Sequence, residues 1–233
     1  MSKKKLVVLS GAGISAESGV ATFRGSGGLW EGYDIMKVAS PQGWAEDYRM
    51  VLEFYNARRQ NIANVKPNGA HLILKELEED WDVSIVTQNI DNLHEQAGST
   101  EVVHLHGEIT KACCSVTKDY VEEIGFTDIR DGDLSLSGYQ KRPFIVWFGE
   151  NVPMITEAEQ IVSKADVLLI IGTSLMVYPA AGLVNFVRSS VPIYVIDPNE
   201  VREKISVSNE VTHIKKGGSE GMIELQKILL ENV

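Results

Sequence analysis

The chain of 233 residues carries 22 lysine and arginine side chains against 32 aspartate and glutamate side chains, which gives a net charge of −10. The hydrophobic fraction of 44% and the charged fraction of 23% are those of a globular protein, and they exclude a disordered chain, a collagen-like repeat and a membrane bundle. The acid excess argues against direct binding to nucleic acid, because duplex-DNA binders cluster cations that replace counterions. Cys113 and Cys114 are the only cysteines, which excludes a disulfide framework and a four-thiolate metal site from this chain alone.

The first apolar run, Leu6–Leu9, follows three lysines but is too short for the apolar region of a secretory signal, which needs roughly 7 to 15 residues. No later apolar run approaches the roughly 20 residues that span a bilayer. We therefore expect a cytoplasmic protein without membrane association.

Short continuous apolar runs are typical of parallel strands that are covered on both faces. The chain contains five such runs: Leu6–Leu9, Val83–Val86, Phe144–Phe148, Val167–Ile171 and Ile193–Ile196. Helices are predicted after the capping residue Asn68, over Glu157–Lys164 and Ala180–Ser189, and around Met222–Leu229. This alternation predicts an α/β fold with a Rossmann-like, doubly wound parallel sheet.

Two stretches, residues 25–67 and 108–142, interrupt the alternation of strands and helices. We expect these insertions to form a second, smaller lobe. The larger lobe would then comprise residues 1–24, 68–107 and 143–233, and residues 1–233 would be a single domain.

A glycine-rich turn follows the first predicted strand. Gly11, Gly13 and Ala16 match G-x-G-x-x-A, the pattern of a strand-to-helix turn that receives a pyrophosphate. A glycine turn without a ligand is the alternative for this pattern alone. A hydride-transfer dehydrogenase is disfavoured, because Glu31, at the distance of the ribose-binding acid, does not end a buried strand.

Several further motifs identify a family. They are Gly11–Ser15, Gly19-Val20, Thr22–Arg24, Thr87–His94, His104–Gly107, Val146–Glu150 and Gly172–Leu175. Their order resembles that of the sirtuins, NAD-dependent protein deacylases, and the resemblance extends from about Leu6 to Ser219. It implies one catalytic domain whose larger lobe binds NAD and consumes it as a co-substrate.

The resemblance also implies which residues bind NAD. The cofactor-binding candidates are Gly11, Ala12, Gly13, Ser15, Thr22, Phe23, Arg24, Gln88, Asn89, Ile90, Asp91, Gly172, Thr173, Ser174, Asp197, Pro198, Asn199 and Ser219. Asp91 would bind the nicotinamide carboxamide, and Gln88 and Asn89 the ribose side. Without the other motifs, Asn89 and Asp91 would be interpreted as capping a turn. The family often has asparagine where this chain has Asp197.

His106 and Asn89 are the catalytic candidates that the resemblance implies. His106 would be the general base, whose ordinary pKa of about 6.5 suits proton removal at neutral pH. The acyl oxygen of the substrate would attack the nicotinamide ribose, nicotinamide would leave, and His106 would then deprotonate a ribose hydroxyl. A metal site at His104 and His106 is rejected, because no third ligand has suitable spacing.

The resemblance implies that the substrates are proteins that carry acyl-lysine. Val146, Phe148, Gly149 and Glu150 are the candidates for binding the peptide, and Gly149 and Glu150 would pair with it as an added strand.

Tyr55 and Arg58 are three residues apart on a predicted helix, so both lie on one face. A phenol beside a guanidinium forms a receptor for a carboxylate. This pair, with the small residue Ala39, resembles the sirtuin subgroup that removes succinyl, malonyl or glutaryl groups. The alternative is an amphipathic helix with a buried tyrosine and an exposed arginine, and deacetylation remains as a second activity.

The chain departs from the family at its cysteines. Many sirtuins hold a structural zinc with two Cys-x-x-Cys pairs, whereas Cys113 and Cys114 are adjacent and no further cysteine follows. We expect no bound zinc and a small lobe held by apolar contacts from Tyr120, Ile124, Phe126 and Tyr139. The competing functions are an ADP-ribosyltransferase on the same scaffold and a non-enzymatic protein that binds NAD or ADP-ribose.

Overall fold

The computed structural model describes residues 3–22 and 34–231. The nine strands of this part are β1 (Lys5–Ser10), β2 (Asp82–Thr87), β3 (Val102–His104), β4 (Gly107–Cys114), β5 (Glu122–Glu123), β6 (Lys141–Ile145), β7 (Val167–Ile171), β8 (Ile193–Ile196) and β9 (Val211–Ile214). The α-helices are α1 (Gly13–Ala16), α2 (Ile35–Val38), α3 (Pro41–Ala63), α4 (Gly69–Leu77), α5 (Leu93–Ala97), α6 (Ile155–Ser163) and α7 (Gly218–Leu230). Short 3₁₀-helices cover Ala180–Phe186 and Arg202–Lys204.

The main sheet has six parallel strands in the order β3-β2-β1-β7-β8-β9. The chain builds one half outward from β1 and the other outward from β7, so the strand order reverses between them. In open α/β sheets, ligands bind at the carboxyl ends of the strands at such a reversal. The predicted Rossmann-like α/β fold is confirmed, and it places the loops after β1 and β7 side by side.

Apolar cores cover both faces of the main sheet. Leu6 and Val8 of β1 pack with α4 and α7 on one face, while Val7 and Leu9 pack with α6 on the other. Successive side chains of a strand point to opposite faces. The continuous apolar run of β1 follows from this double burial.

A second, antiparallel sheet in the order β5-β4-β6 forms the small lobe with α3. The predicted strand Phe144–Phe148 is wrong in its bounds and its sheet, since β6 ends at Ile145 and pairs antiparallel with β4. Residues 146–148 leave the sheet, and Phe148 is 46% exposed. An apolar run cannot by itself distinguish a sheet strand from an extended cavity wall.

The small lobe is held together by buried apolar contacts and by a pair of side-chain hydrogen bonds. Ile129 packs with Leu52 and Ala112, and Ile124 packs against this cluster. Asn56 on α3 donates to the Ile129 carbonyl (2.8 Å) and accepts from the Ile129 amide (3.0 Å). This closed pair fixes a loop to the helix.

The apolar contacts predicted for this lobe are partly wrong. Ile124 and Phe126 pack against core clusters, but Tyr120 and Tyr139 are 49% and 51% exposed. Both tyrosines lie in turns, where an aromatic ring with a polar hydroxyl can remain in water. No helix among the described residues is long and apolar enough to cross a membrane.

Candidate active site

A cavity of about 430 Å³ opens at the carboxyl ends of β1, β2, β7 and β8 and extends to the small lobe. The predicted site residues that line it are Gly11, Ala12, Gly13, Thr22, Ala39, Tyr55, Arg58, Gln88, Ile90, His106, Val146, Phe148, Gly149, Glu150, Gly172, Thr173, Ser174, Asp197 and Asn199. Most of the predicted cofactor residues and all of the predicted acyl and peptide residues therefore face one space. Phe23 and Arg24 lie outside the described residues.

The glycine turn after β1 packs directly on the turn after β7. The Gly11 amide donates to the Ile171 carbonyl (3.1 Å) and the Gly13 amide to the Gly172 carbonyl (2.8 Å). A Cβ on Gly13 would lie 2.7 Å from the Cα of Gly172, so only glycine fits. The helix α1 that follows spans one turn, and the Gly11 and Gly13 amides bond to protein carbonyls, so these two amides hold the turn against the loop after β7.

Behind the cavity lies a buried network of Ser15, Asn89 and Asp91. The Asn89 side-chain amide donates to Ser15 Oγ (3.2 Å), and Ser15 Oγ donates to Asp91 Oδ2 (3.1 Å). The Leu93 amide donates to Asp91 Oδ1 (3.2 Å). Burial raises the pKa of Asp91, and the hydrogen bonds from the Leu93 amide and the Ser15 hydroxyl partly offset that effect.

His106 is the titratable imidazole on the cavity wall. Its Nδ1 lies 3.1 Å from the Gln88 carbonyl, and a carbonyl only accepts, so this nitrogen carries the proton. Nε2 is then the acceptor nitrogen of the ring. Burial lowers the pKa of His106 below its ordinary value, which favours the neutral ring, the form that can accept a proton, at neutral pH.

His104, two residues earlier, does not share this environment. Its Nδ1 lies 2.8 Å from the Asn89 carbonyl and its Nε2 lies 2.8 Å from Glu95 Oε1. Burial alone would lower the pKa of His104, but the bond to Glu95 raises it. Both ring nitrogens are engaged, so His104 braces the Asn89 loop. Within residues 3–22 and 34–231, no group of three His, Cys, Asp or Glu residues is arranged to hold a metal ion.

Tyr55 and Arg58 of α3 reach the cavity from the small lobe, and they are 2% and 8% exposed. Trp147 Nε1 donates to the Tyr55 hydroxyl (3.1 Å). Burial raises the pKa of Tyr55, which remains a phenol, and burial lowers the pKa of Arg58, which Tyr55 and Asp91 partly offset. The alternative of an exposed arginine is contradicted, because the guanidinium is buried beside the cavity.

Backbone bonds fix the cavity wall after β6. The Val146 amide donates to the His106 carbonyl (2.9 Å) and the Phe148 amide to the Ala39 carbonyl (3.0 Å). The Glu150 amide donates to the Trp147 carbonyl (3.0 Å), so this amide is engaged within the wall itself. Gly149, at φ +87°, makes the turn between them.

Of the predicted cofactor residues in the last part of the chain, some line the cavity and others do not. Asp197 lines the cavity after β8, and its Oδ1 accepts from the Asn199 amide (2.8 Å). Ser219 lies at the start of α7, where its amide donates to Glu17 Oε1 (3.1 Å), and neither Ser219 nor Pro198 lines the cavity. The structure therefore brings Asp197 and Asn199 to the site but not Ser219 or Pro198.

Comparison with known proteins places this geometry in a family. The sequence pattern of the Sir2 family matches residues 11–179. The chain belongs to the Sir2, or sirtuin, family. An NAD-dependent protein deacylase of Bacteroides thetaiotaomicron is 50% identical over 97% of this chain and 98% of its own length. One of Helicobacter pylori is 47% identical over 98% and 96%.

Solved sirtuin structures share the fold over nearly the whole chain. A mutant Sir2 homologue in complex with ADP-ribose aligns with a TM-score of 0.88 and 36% identity, over 99% of this chain and 93% of that one. A Sir2 homologue in complex with NAD aligns with a TM-score of 0.86 and 36% identity, over 99% and 91%. The residues present here fit NAD, because buried Asn89 Oδ1 has no protein hydrogen-bond partner and can accept from a ribose hydroxyl.

Several residues that line the cavity were not predicted as site residues from the sequence. They are Ile35, Ile145, Trp147, Val152, Val177, Tyr178 and Pro179. Most are apolar and carry no chemical signature. Trp147 had a usable signal, because a buried indole N–H needs an acceptor and the helix of Tyr55 and Arg58 supplies one.

The cysteines of this sirtuin are integral to the small sheet. Cys113 and Cys114 are buried in β4, and Cys114 Sγ accepts from Ser137 Oγ (3.2 Å). Burial raises the pKa of the Cys113 thiol to about 11.

We predict that protein purified without chelator contains less than about 0.1 zinc per chain, because two adjacent thiols cannot supply a tetrahedral site. Elemental analysis by mass spectrometry measures this, with a four-cysteine sirtuin prepared in parallel as the control. Stoichiometric zinc would contradict the prediction.

Proposed function

We propose that this sirtuin is an NAD-dependent protein-lysine deacylase that removes acidic acyl groups, succinyl and malonyl first and glutaryl as a further candidate, with deacetylation as a second activity. The products would be the free lysine, nicotinamide and O-acyl-ADP-ribose. The observation that carries the proposal is the buried pair Tyr55 and Arg58 on the wall of the cavity that also holds His106.

The charge of Arg58 supports an acidic acyl group. Arg58 is 8% exposed and lines the cavity, where its planar guanidinium has the geometry to bind a substrate carboxylate bidentately. The Tyr55 hydroxyl lies on the same helix face and can donate to the same carboxylate. Ala39 is a small side chain on the cavity wall, which leaves room for a longer acyl chain.

The chain's own residues have distinct tasks in the proposed reaction. NAD supplies the ribose carbon that is attacked and the nicotinamide that leaves. Asn89 orients the ribose, and His106 Nε2 accepts a proton from a ribose hydroxyl. Gln88 donates to Thr173 Oγ1 (3.1 Å), which ties the loop after β2 to the loop after β7 across the cavity. Val146, Phe148 and Gly149 form the wall along which the peptide would lie.

A panel of matched peptides tests the proposal. The enzyme and NAD are incubated with one peptide sequence that carries acetyl-, malonyl-, succinyl- or glutaryl-lysine, and the products are weighed by mass spectrometry. We expect kcat/KM for the succinyl and malonyl peptides to exceed that for the acetyl peptide at least about tenfold, since a charge-assisted hydrogen bond stabilises by about 1.5 to 3 kcal/mol.

Two results would contradict the proposal. A preference for the acetyl peptide would remove the acidic acyl specificity. Nicotinamide release that proceeds equally without any acyl peptide would instead favour an ADP-ribosyltransferase.

A further inference from the structure

Trp147 lies between the Tyr55 hydroxyl and a buried ion pair. Its indole Nε1 donates to Tyr55 Oη (3.1 Å), and the two rings are 6.4 Å apart between centroids. The Trp147 side chain is 2% exposed and lines the acyl side of the cavity. It therefore belongs to the wall behind the proposed acyl receptor.

The direction of this hydrogen bond is fixed by chemistry. An indole N–H has no lone pair to offer, so it can only donate. The Tyr55 oxygen must accept with a lone pair, and its own proton must point elsewhere. Because Tyr55 lines the cavity, its O–H can point toward the cavity contents. An ionised carboxylate is acceptor-only and matches that donor.

Trp147 is itself held on two sides. The Arg142 guanidinium lies 3.3 Å from the centroid of the Trp147 ring, which is a cation–π contact. Arg142 also binds Glu150 with both terminal nitrogens, at 2.9 and 3.2 Å. Glu150 Oε2 accepts from the Trp147 amide (2.9 Å), and Lys118 Nζ lies 2.9 Å from Glu150 Oε1. Arg142 thus holds the ring of Trp147 and Glu150 holds its backbone amide, and these two residues form one ion pair.

We propose that Trp147, held by Arg142 and Glu150, is a positioning residue that turns the Tyr55 hydroxyl proton toward the carboxylate of the acyl group. Trp147 makes this enzyme selective for acidic acyl groups by acting through Tyr55. The inference rests on the proposed acyl specificity and adds the residue that sets the donor direction.

The variant Trp147→Phe tests the inference, because it keeps an aromatic ring and removes the N–H. Without that donor, the Tyr55 O–H can rotate away from the cavity. We expect the ratio of kcat/KM for succinyl-lysine to that for acetyl-lysine peptide to fall about tenfold, with most of the change in KM for the succinyl peptide. Trp147→His is the second variant, because Nε2 of histidine is as many bonds from Cβ as the indole nitrogen. It should recover more of the ratio than phenylalanine does.

Trp44→Phe is the matched control for packing, since the Trp44 ring contacts the Trp147 ring in a tilted arrangement, with 5.6 Å between the ring centroids, and Trp44 does not line the main cavity. This control should leave the ratio within about twofold of wild type, and melting temperatures verify that each variant is folded. An unchanged ratio in Trp147→Phe would overturn the inference, as would an equal fall in Trp44→Phe.

Tyr55→Phe separates this inference from the proposed function. If Tyr55→Phe lowers the ratio but Trp147→Phe does not, the acyl specificity stands and the positioning role fails. If Tyr55→Phe leaves the ratio unchanged, the carboxylate receptor itself fails. If both lower it, the double variant should fall no further than Tyr55→Phe, because the two side chains would act through one hydroxyl.

Discussion

His106→Asn is expected to lower kcat for every acyl peptide by about 10³-fold while NAD still binds. General bases contribute about 10²- to 10⁴-fold. Asparagine can still donate to the Gln88 carbonyl, which His106 Nδ1 contacts at 3.1 Å, but it has no basic nitrogen for the Nε2 position. His106→Tyr should be equally inactive, because a phenol with a pKa of about 10 is a poor base at neutral pH.

Steady-state kinetics and calorimetric NAD titration of both variants measure this effect. The pH profile of the wild-type enzyme is a further test, because burial lowers the pKa of His106 and we therefore expect the acidic limb of kcat/KM to lie below the ordinary histidine value of 6.5. Activity should therefore be level through neutral pH and fall only in acid. Turnover near wild type in His106→Asn would remove this residue from the base role.

The strands that the sequence predicted best are those buried on both faces. The runs Val167–Ile171 and Ile193–Ile196 coincide with β7 and β8, because every residue there lies under a helix on one face or the other. Asn68 was also recognisable, since its side chain accepts from the Ala70 amide (3.0 Å) at the start of α4. These features depend on residues that are close together in the sequence, so the sequence alone is enough to predict them.

Features that depend on distant partners were not recognisable. β3 and β9 are the short strands at the two edges of the main sheet, and each forms by pairing with its neighbour, β2 or β8. Glu150 resembled a substrate contact in sequence, but its carboxylate binds Arg142 and Lys118. Only the fold brings these three residues together.

In the candidate site, too, some features follow from local sequence and others depend on distant parts of the chain. Sequence spacing was enough to predict that Tyr55 and Arg58 share a helix face, which α3 confirms. It could not predict that the face is buried at 2% and 8% exposure, because that depends on the wall formed after β6. Burial turns an ordinary pair of side chains into a candidate carboxylate receptor.

Arg58→Met is expected to lower the ratio of desuccinylation to deacetylation, measured as kcat/KM, by at least about 100-fold. Removing one partner of a buried ion pair costs about 3 to 5 kcal/mol, and every 1.4 kcal/mol is tenfold. The succinyl carboxylate would enter the cavity without its cation, whereas an acetyl group has no charge to leave unpaired. Methionine retains an unbranched, flexible side chain, so the loss is one of charge and hydrogen bonds.

Arg49→Met is the matched control on the same helix. Arg49 binds Asp131 at 2.7 Å, its side chain is 64% exposed, and it does not line the cavity. Its replacement should leave the ratio within about twofold of wild type. Arg58→Lys should fall between wild type and methionine, because lysine keeps the charge but loses the two-pronged geometry. An equal loss of both activities in Arg58→Met would refute the carboxylate receptor, since a general defect in folding or NAD binding affects every acyl substrate alike.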